Sequence, residues 1–179
     1  MDFANISKNI TDGKNLGGLA QKVYFGLWND VETWPTEPTA PATLDEAGVL
    51  TTDIAMKTGT NFFELYTTED SAKLDINSIG EEGGKGVEYV LNVFSPGLAK
   101  KILGFINAIQ NEDLVLIAPD NNGNKYLLGD VLRSAKYTGG DGSGTGTTTE
   151  GRRGIAMSFT FHSPFMLTYE GAIPLTPAV

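Results

Sequence analysis

The sequence has no cysteine and a single histidine, His162, among its 179 residues. The first absence excludes disulfide frameworks, Cys-ligated zinc, iron–sulfur clusters and thiol nucleophiles. The second allows a Ser-His-Asp arrangement only if His162 lies in a cleft. Positive charge is scarce: 13 Lys and Arg stand against 22 Asp and Glu, a formal net charge of −9. Attraction to nucleic acid depends on clustered Lys and Arg, so this balance disfavours a phosphate-binding surface. Apolar runs are a few residues long, far short of the roughly 20 that span a bilayer, and no membrane association is expected. The opening MDFANISKNITDG lacks the basic flank and apolar stretch of a secretory signal. Hydrophobic residues make up 40% of the chain, enough for one domain with its own core at this length.

The texture along the chain is mainly β. Residues 1–18 are polar and glycine-containing and read as an N-terminal arm. Within LAQKVYFGLW, Val23, Phe25 and Leu27 share one side of a strand, and Gly26 marks a bulge or a close backbone approach. Residues 29–48 carry prolines at 35, 38 and 41 and read as a long extended loop. LTTDIAMK and NFFELYT alternate, as does KLDIN, and Val87, Tyr89, Leu91 and Val93 fall on one face. Ser95-Pro96 looks like a helix start, with Ser as N-cap and Pro at the first helical position. Leu98, Ile102, Phe105 and Ile109 then form one apolar helical face, so a helix is expected over about 96–110. If that face is core, Phe105→Ala should cost about 3–5 kcal/mol.

Leu114–Ile117 reads as a buried strand, and Asp120-Asn121-Asn122-Gly123-Asn124 as a hairpin turn. Another strand is expected over 131–138, then a low-complexity Gly/Thr loop over 139–151. Ile155, Met157, Phe159 and Phe161 alternate in a last strand. The resulting map is an arm (1–18), one β-rich domain (19–165) and a C-terminal tail (166–179). Short strands between turn signals point to a sandwich or barrel with one flanking helix.

The motifs closest to known chemistry all fall short. Counted from Asp120, the sixth and twelfth positions of an EF-hand loop hold Lys125 and Val131 instead of Gly and Glu. Neither GGDGSGTG nor GEEGGKG ends in the G-K-[ST] of a phosphate loop. Ser163, next to His162, points to the opposite face of a strand. Glu69, Asp70 and Asp75 read as a solvated face, and Arg152-Arg153 as partners for nearby carboxylates. No catalytic, cofactor or metal residue is assigned, and an enzyme is not expected.

The order of elements resembles a known family. LGGLAQKVYFG (16–26), GVEYVLNVFSPGLAKKILGFINAI (86–109), DLVLIAPDNNGNKYLLG (113–129) and IAMSFTFHSP follow one another as in the tail-tube-type virion proteins of phages and prophages of Bacteroidetes. The resemblance spans about residues 16–165 and rests on texture and order. It implies a β-sandwich or barrel with a flanking helix, assembled as stacked hexameric rings whose inner sheets surround a DNA channel. It further implies tape-measure and terminator proteins as neighbours, residence in the virion after assembly in the bacterial host cytoplasm, and DNA passing without specific binding. Acidic side chains would keep that DNA sliding, with Glu64, Asp75 and Glu88 as lumen-facing candidates. Two other readings stand beside it: another β-rich virion part (terminator, head–tail connector or capsid decoration), or a ligand-binding sandwich using Trp28 and Trp34 as a stacking platform.

Overall fold

A computed structural model describes residues 16–146 and 153–175. In chain order the strands are β1 (Lys22–Leu27), β2 (Val31–Thr33), β3 (Val49–Leu50), β4 (Ala55–Met56), β5 (Phe63–Tyr66), β6 (Lys73–Ile79), β7 (Gly86–Pro96), β8 (Leu114–Pro119), β9 (Lys125–Leu128), β10 (Lys136–Gly139), β11 (Gly154–Ser163) and β12 (Thr168–Tyr169). A single helical turn, α1 (Leu44–Ala47), precedes β3, and the main helix, α2 (Lys100–Ile109), joins β7 to β8. The chain is thus mainly β with one main helix, as its alternating texture implies.

Two four-stranded antiparallel sheets carry the fold, in the orders β5-β1-β8-β9 and β10-β11-β7-β6. Strands β7 and β11 run in register for ten residue pairs, from Val87↔Ser163 to Pro96↔Gly154. Their inward residues are those picked out by alternation: Val87, Tyr89, Leu91 and Val93 meet Met157, Phe159 and Phe161 in one buried cluster. The facing sheet contributes Val23, Leu65, Leu114, Leu116 and Leu128 to that cluster. A bridge from Leu114 to Ala135 links the two sheets at one corner.

A second cluster covers the other side of the β5-β1-β8-β9 sheet. It gathers Val31, Leu50, Ile54, Phe62, Val115, Ile117, Leu127 and Tyr169. Strand β8 is therefore buried on both faces, which is why LVLIA is continuously apolar instead of alternating. Gly26 meets the close approach its place in β1 anticipates: a Cβ there would lie 3.2 Å from Met56 Cε.

This outer layer is made by segments the sequence presents as loop and tail. Residues 29–48 hold a 3-10 turn (Trp28–Asp30), β2 and α1. Helix α1 closes as a single turn because Thr43 Oγ1 accepts from the Glu46 amide while Glu46 Oε2 accepts from the Ala42 amide. LTTDIAMK is two short pieces, β3 and β4, pairing with β12 and β2. The tail over 166–175 is part of the fold: β12 runs parallel to β3 and Leu175 bridges Phe62. Its hydrogen bonds to β3 and its buried Tyr169 hold it in place. Of the expected arm, residues 1–15 lie outside the described residues, and Leu16 exchanges hydrogen bonds with the Asn122 side chain.

Two element boundaries differ from expectation. Ser95 and Pro96 pair with Ile155 and Gly154 at the end of β7 instead of starting the helix. Gly97, at φ +83°, then turns the chain, and α2 begins at Lys100 after Ala99. Leu98 consequently precedes the helix, while Ile102, Phe105 and Ile109 pack on the sandwich core, joined by Ile106. The expected strand over 131–138 shortens to β10, because 130–133 form a turn. The described part of the Gly/Thr loop, 139–146, is turn backbone tied to β11 by the Gly144–Gly154 bridge.

Phe105 is only partly buried, its ring 4.7 Å from that of Phe25. Phe105→Ala should therefore cost about half of the roughly 3–5 kcal/mol of a fully buried Phe. Thermal melts of the variant check this, and an unchanged midpoint would remove α2 from the core.

Candidate functional site

One feature is the outward face of the β10-β11-β7-β6 sheet, whose strand residues are mostly exposed or half-buried among the described residues. Register places Lys73 beside Asn92 and Ser158, Asp75 beside Val90 and Thr160, and Asn77 beside Glu88 and His162. Lys136 and Thr138 extend the same face on β10, with Thr138 Oγ1 3.5 Å from Thr160 Oγ1. The face is a lattice of short hydroxyl and amide side chains with a few charges.

The three carboxylates singled out in the sequence are not brought together. Asp75 and Glu88 share this face on neighbouring strands. Glu64 sits on β5 of the other sheet, opposite Tyr24, and binds Lys22 Nζ at 2.7 Å. Asp75 binds Lys73 at 2.7 Å, and Glu88 lies 3.3 Å from His162 Nε2 across the strand pair. Lys73 pairs with Asp75, and Lys136 at the β10 edge pairs with Asp113, which leaves Glu88 beside His162. The face is polar, and most of its charges are paired.

A second feature is a cleft of about 770 Å³ beside β9, between the proline-rich segment and the chain after β11. Trp34, Leu127, Phe161 and Leu167 line it, with Glu32 and Glu37 among its walls. Its rim is apolar: Val131 is 62% and Leu132 82% exposed, and Phe165 is half-exposed. The cause is local. Asp130 Oδ1 accepts from the amides of Leu132 and Arg133 at 2.7 Å each, a tight turn that holds the two apolar side chains outward. The Tyr89 hydroxyl supports the opposite wall, donating to Phe165 O at 3.3 Å and accepting from the Leu167 amide at 3.1 Å. Desolvation pushes the Tyr89 phenol pKa upward, which keeps it a donor. The sequence offered one signal for this cleft, two adjacent apolar residues directly after Gly-Asp.

Trp28 and Trp34 do come together, with ring centroids 6.0 Å apart and planes tilted by 39°. They do not form one flat platform. Trp28 donates from Nε1 to Asp130 O at 2.7 Å, while Trp34 faces the large cleft.

His162 reaches the edge of a smaller hollow of about 370 Å³ that also holds Asp113, Ser134 and Lys136. The Ser134 hydroxyl donates to Asp113, as does the Lys136 ammonium, so the serine proton is directed at a carboxylate and not at the imidazole. Lys136, then Ser134, hold the Asp113 carboxyl below its ordinary pKa near 3.8. A depressed folded-state value stabilises the fold above the unfolded pKa and is lost as pH falls through the folded one. Asp113→Asn should thus melt below the parent at neutral pH and approach it as pH drops under about 3.8. A constant gap down to pH 2 would show that the ion pair contributes nothing. Among the described residues, no cluster of three or more His, Asp or Glu is placed to hold a metal ion. Arg153 is exposed, and Arg152 lies outside the described residues.

The chain matches no protein-family model, no curated protein and no solved structure. The functional reading therefore rests on the residues and geometry above. Among the described residues, no helix is long and apolar enough to cross a membrane.

Proposed function

We propose that the protein is a structural subunit that assembles into rings, a tail-tube-type component of a phage virion. The observation that carries the reading is the β10-β11-β7-β6 sheet, whose two edge strands β6 and β10 each have one side with no strand partner among the described residues, apart from the Leu114–Ala135 bridge where β10 begins. Unpaired edges are templates for pairing with another chain, and joining β6 of one copy to β10 of the next would extend the sheet around a ring. The ten-residue register of β7 and β11 gives such a wall its height, on the order of 30 Å at about 3.3 Å per residue. Six copies per ring, stacked rings and a DNA channel follow from the resemblance in the sequence, as do tape-measure and terminator partners and residence in the virion.

A polar face whose lysines are each held by a carboxylate changes how DNA would be kept mobile. Without a cluster of fixed cations, few counterions are released and little affinity for phosphate arises. Hydroxyl and amide groups keep a water layer in place. Repulsion by Asp75 and Glu88 is not required.

Negative-stain images of the purified protein test the reading. Rings or tubes of uniform bore are expected, and a monomer at every concentration would overturn it. The large cleft with Trp34 favours one alternative, a monomeric sandwich that binds a ligand there. Retention of a glycan or peptide by the monomer would support that instead.

A further inference from the structure

The large cleft has apolar walls, a rim exposing Val131 and Leu132, and a charged lining of Glu32, Glu37 and Asp130 against one cation, Arg133, a net acidic set in which Glu32 and Glu37 make no ion pair among the described residues. A matching surface lies elsewhere on the same chain. The first turn of α2 exposes Lys100, Lys101 and Leu103 to solvent, Leu103 at 43%. Neither lysine is ion-paired among the described residues. Cations at a helix N-terminus oppose the macrodipole, and this end also lacks a side-chain cap. Such a turn is locally unfavourable in an isolated subunit. A pair of carboxylates placed against it would offset that cost.

The two surfaces cannot meet within one molecule. Helix α2 packs on Phe25 of β1, next to the β5 edge of its sheet, whereas the cleft opens beside β9 at the other edge. A contact between them needs two copies, and repeated in one direction from copy to copy it is a head-to-tail contact. Contacts of that kind generate rings when the rotation closes and filaments when it does not.

We propose that the cleft is the socket for the first turn of α2 from a second copy of this chain. Leu103 enters between Leu132 and the apolar wall, and Lys100 and Lys101 meet Glu32 and Glu37. The proposal rests on the ring-forming reading and names one interface within it. It predicts a contact that salt weakens, because its charged part lies at the rim.

The absence of cysteine gives a clean cross-linking test. Leu103→Cys and Leu132→Cys are made in separate chains, one lengthened by a tag, then mixed, oxidised and run on a non-reducing gel. Both positions are exposed, and thermal melts confirm that each variant folds like the parent. The expected product is the mixed Leu103→Cys/Leu132→Cys dimer, in excess over either same-site dimer. Adding Glu32→Lys and Glu37→Lys to the Leu132→Cys chain should cut its yield at least about tenfold, as like charges then face each other. Adding Lys100→Glu and Lys101→Glu to the other chain should restore it.

Negative stain of the parent separates the two claims. Rings without the mixed dimer, or with a yield indifferent to the charge changes, would overturn this contact and leave the ring reading standing. A mixed dimer from an assembly with no axial channel would support the contact and overturn the tube. A parent that neither assembles nor cross-links would overturn both.

Discussion

Tyr169→Ala is expected to destabilise the protein by about 4 kcal/mol, the order of removing a fully buried aromatic. Tyr169 is 1% exposed, and its ring closes the outer cluster over Phe62, Val115 and Ile117. Its hydroxyl donates to Ala172 O at 2.7 Å and accepts from the Ile54 amide at 3.0 Å. Burial raises the phenol pKa, so the group stays protonated and keeps both bonds at neutral pH. Tyr169→Phe retains the ring and strands only those two partners, and should cost about 1–3 kcal/mol. At about 2–4 °C per kcal/mol for a chain of this size, the alanine variant should melt roughly 8–16 °C below the parent. Equal melting of the two variants would mean that the ring adds nothing beyond its hydroxyl.

Phe159→Ala should be as costly, about 3–5 kcal/mol, for a different reason. Phe159 is fully buried at the centre of β11, in the cluster between the two main sheets, with Tyr137 at a centroid distance of 5.7 Å. Removing it leaves a cavity that the ten-pair register of β7 and β11 prevents from collapsing. Because Phe159 and Tyr169 belong to separate clusters, the double variant should show additive losses within about 0.5 kcal/mol. Chemical denaturation of the four proteins measures this. A coupling above about 1 kcal/mol would show that the two layers behave as one core.

The inner sandwich was legible because strand alternation is a local property. Val87–Val93 and Met157–Phe161 each bury every second residue, and period two needs only a sheet with one face covered. The hairpin turn was legible for the same kind of reason. Asp120 Oδ1 accepts from the amides of Asn122 and Asn124, and Gly123 takes φ +96°, both demands of the turn itself. The helix was found but displaced. Ser95 and Pro96 satisfy the local preferences of a helix start, yet pairing with β11 extends β7 through them.

The outer layer and the cleft could not be read in this way. Segments 29–48 and 166–175 have little periodicity, because they bury isolated residues such as Val31 and Tyr169 instead of a repeating face. The separation of Glu64 from Asp75 and Glu88 likewise depends on sheet membership, which alternation within one strand does not encode. By itself the sequence determined a β-rich chain without cysteine chemistry, its long strands, their buried faces, one helix and a tight hairpin, since each follows from local geometry and composition. Tertiary structure alone decided that the tail is a structural layer, that the lysines of the polar sheet face are held by carboxylates, and that apolar rim and acidic wall meet in one cleft. Those outcomes depend on which distant segments pack together, and that is set by the burial of surface across the whole molecule.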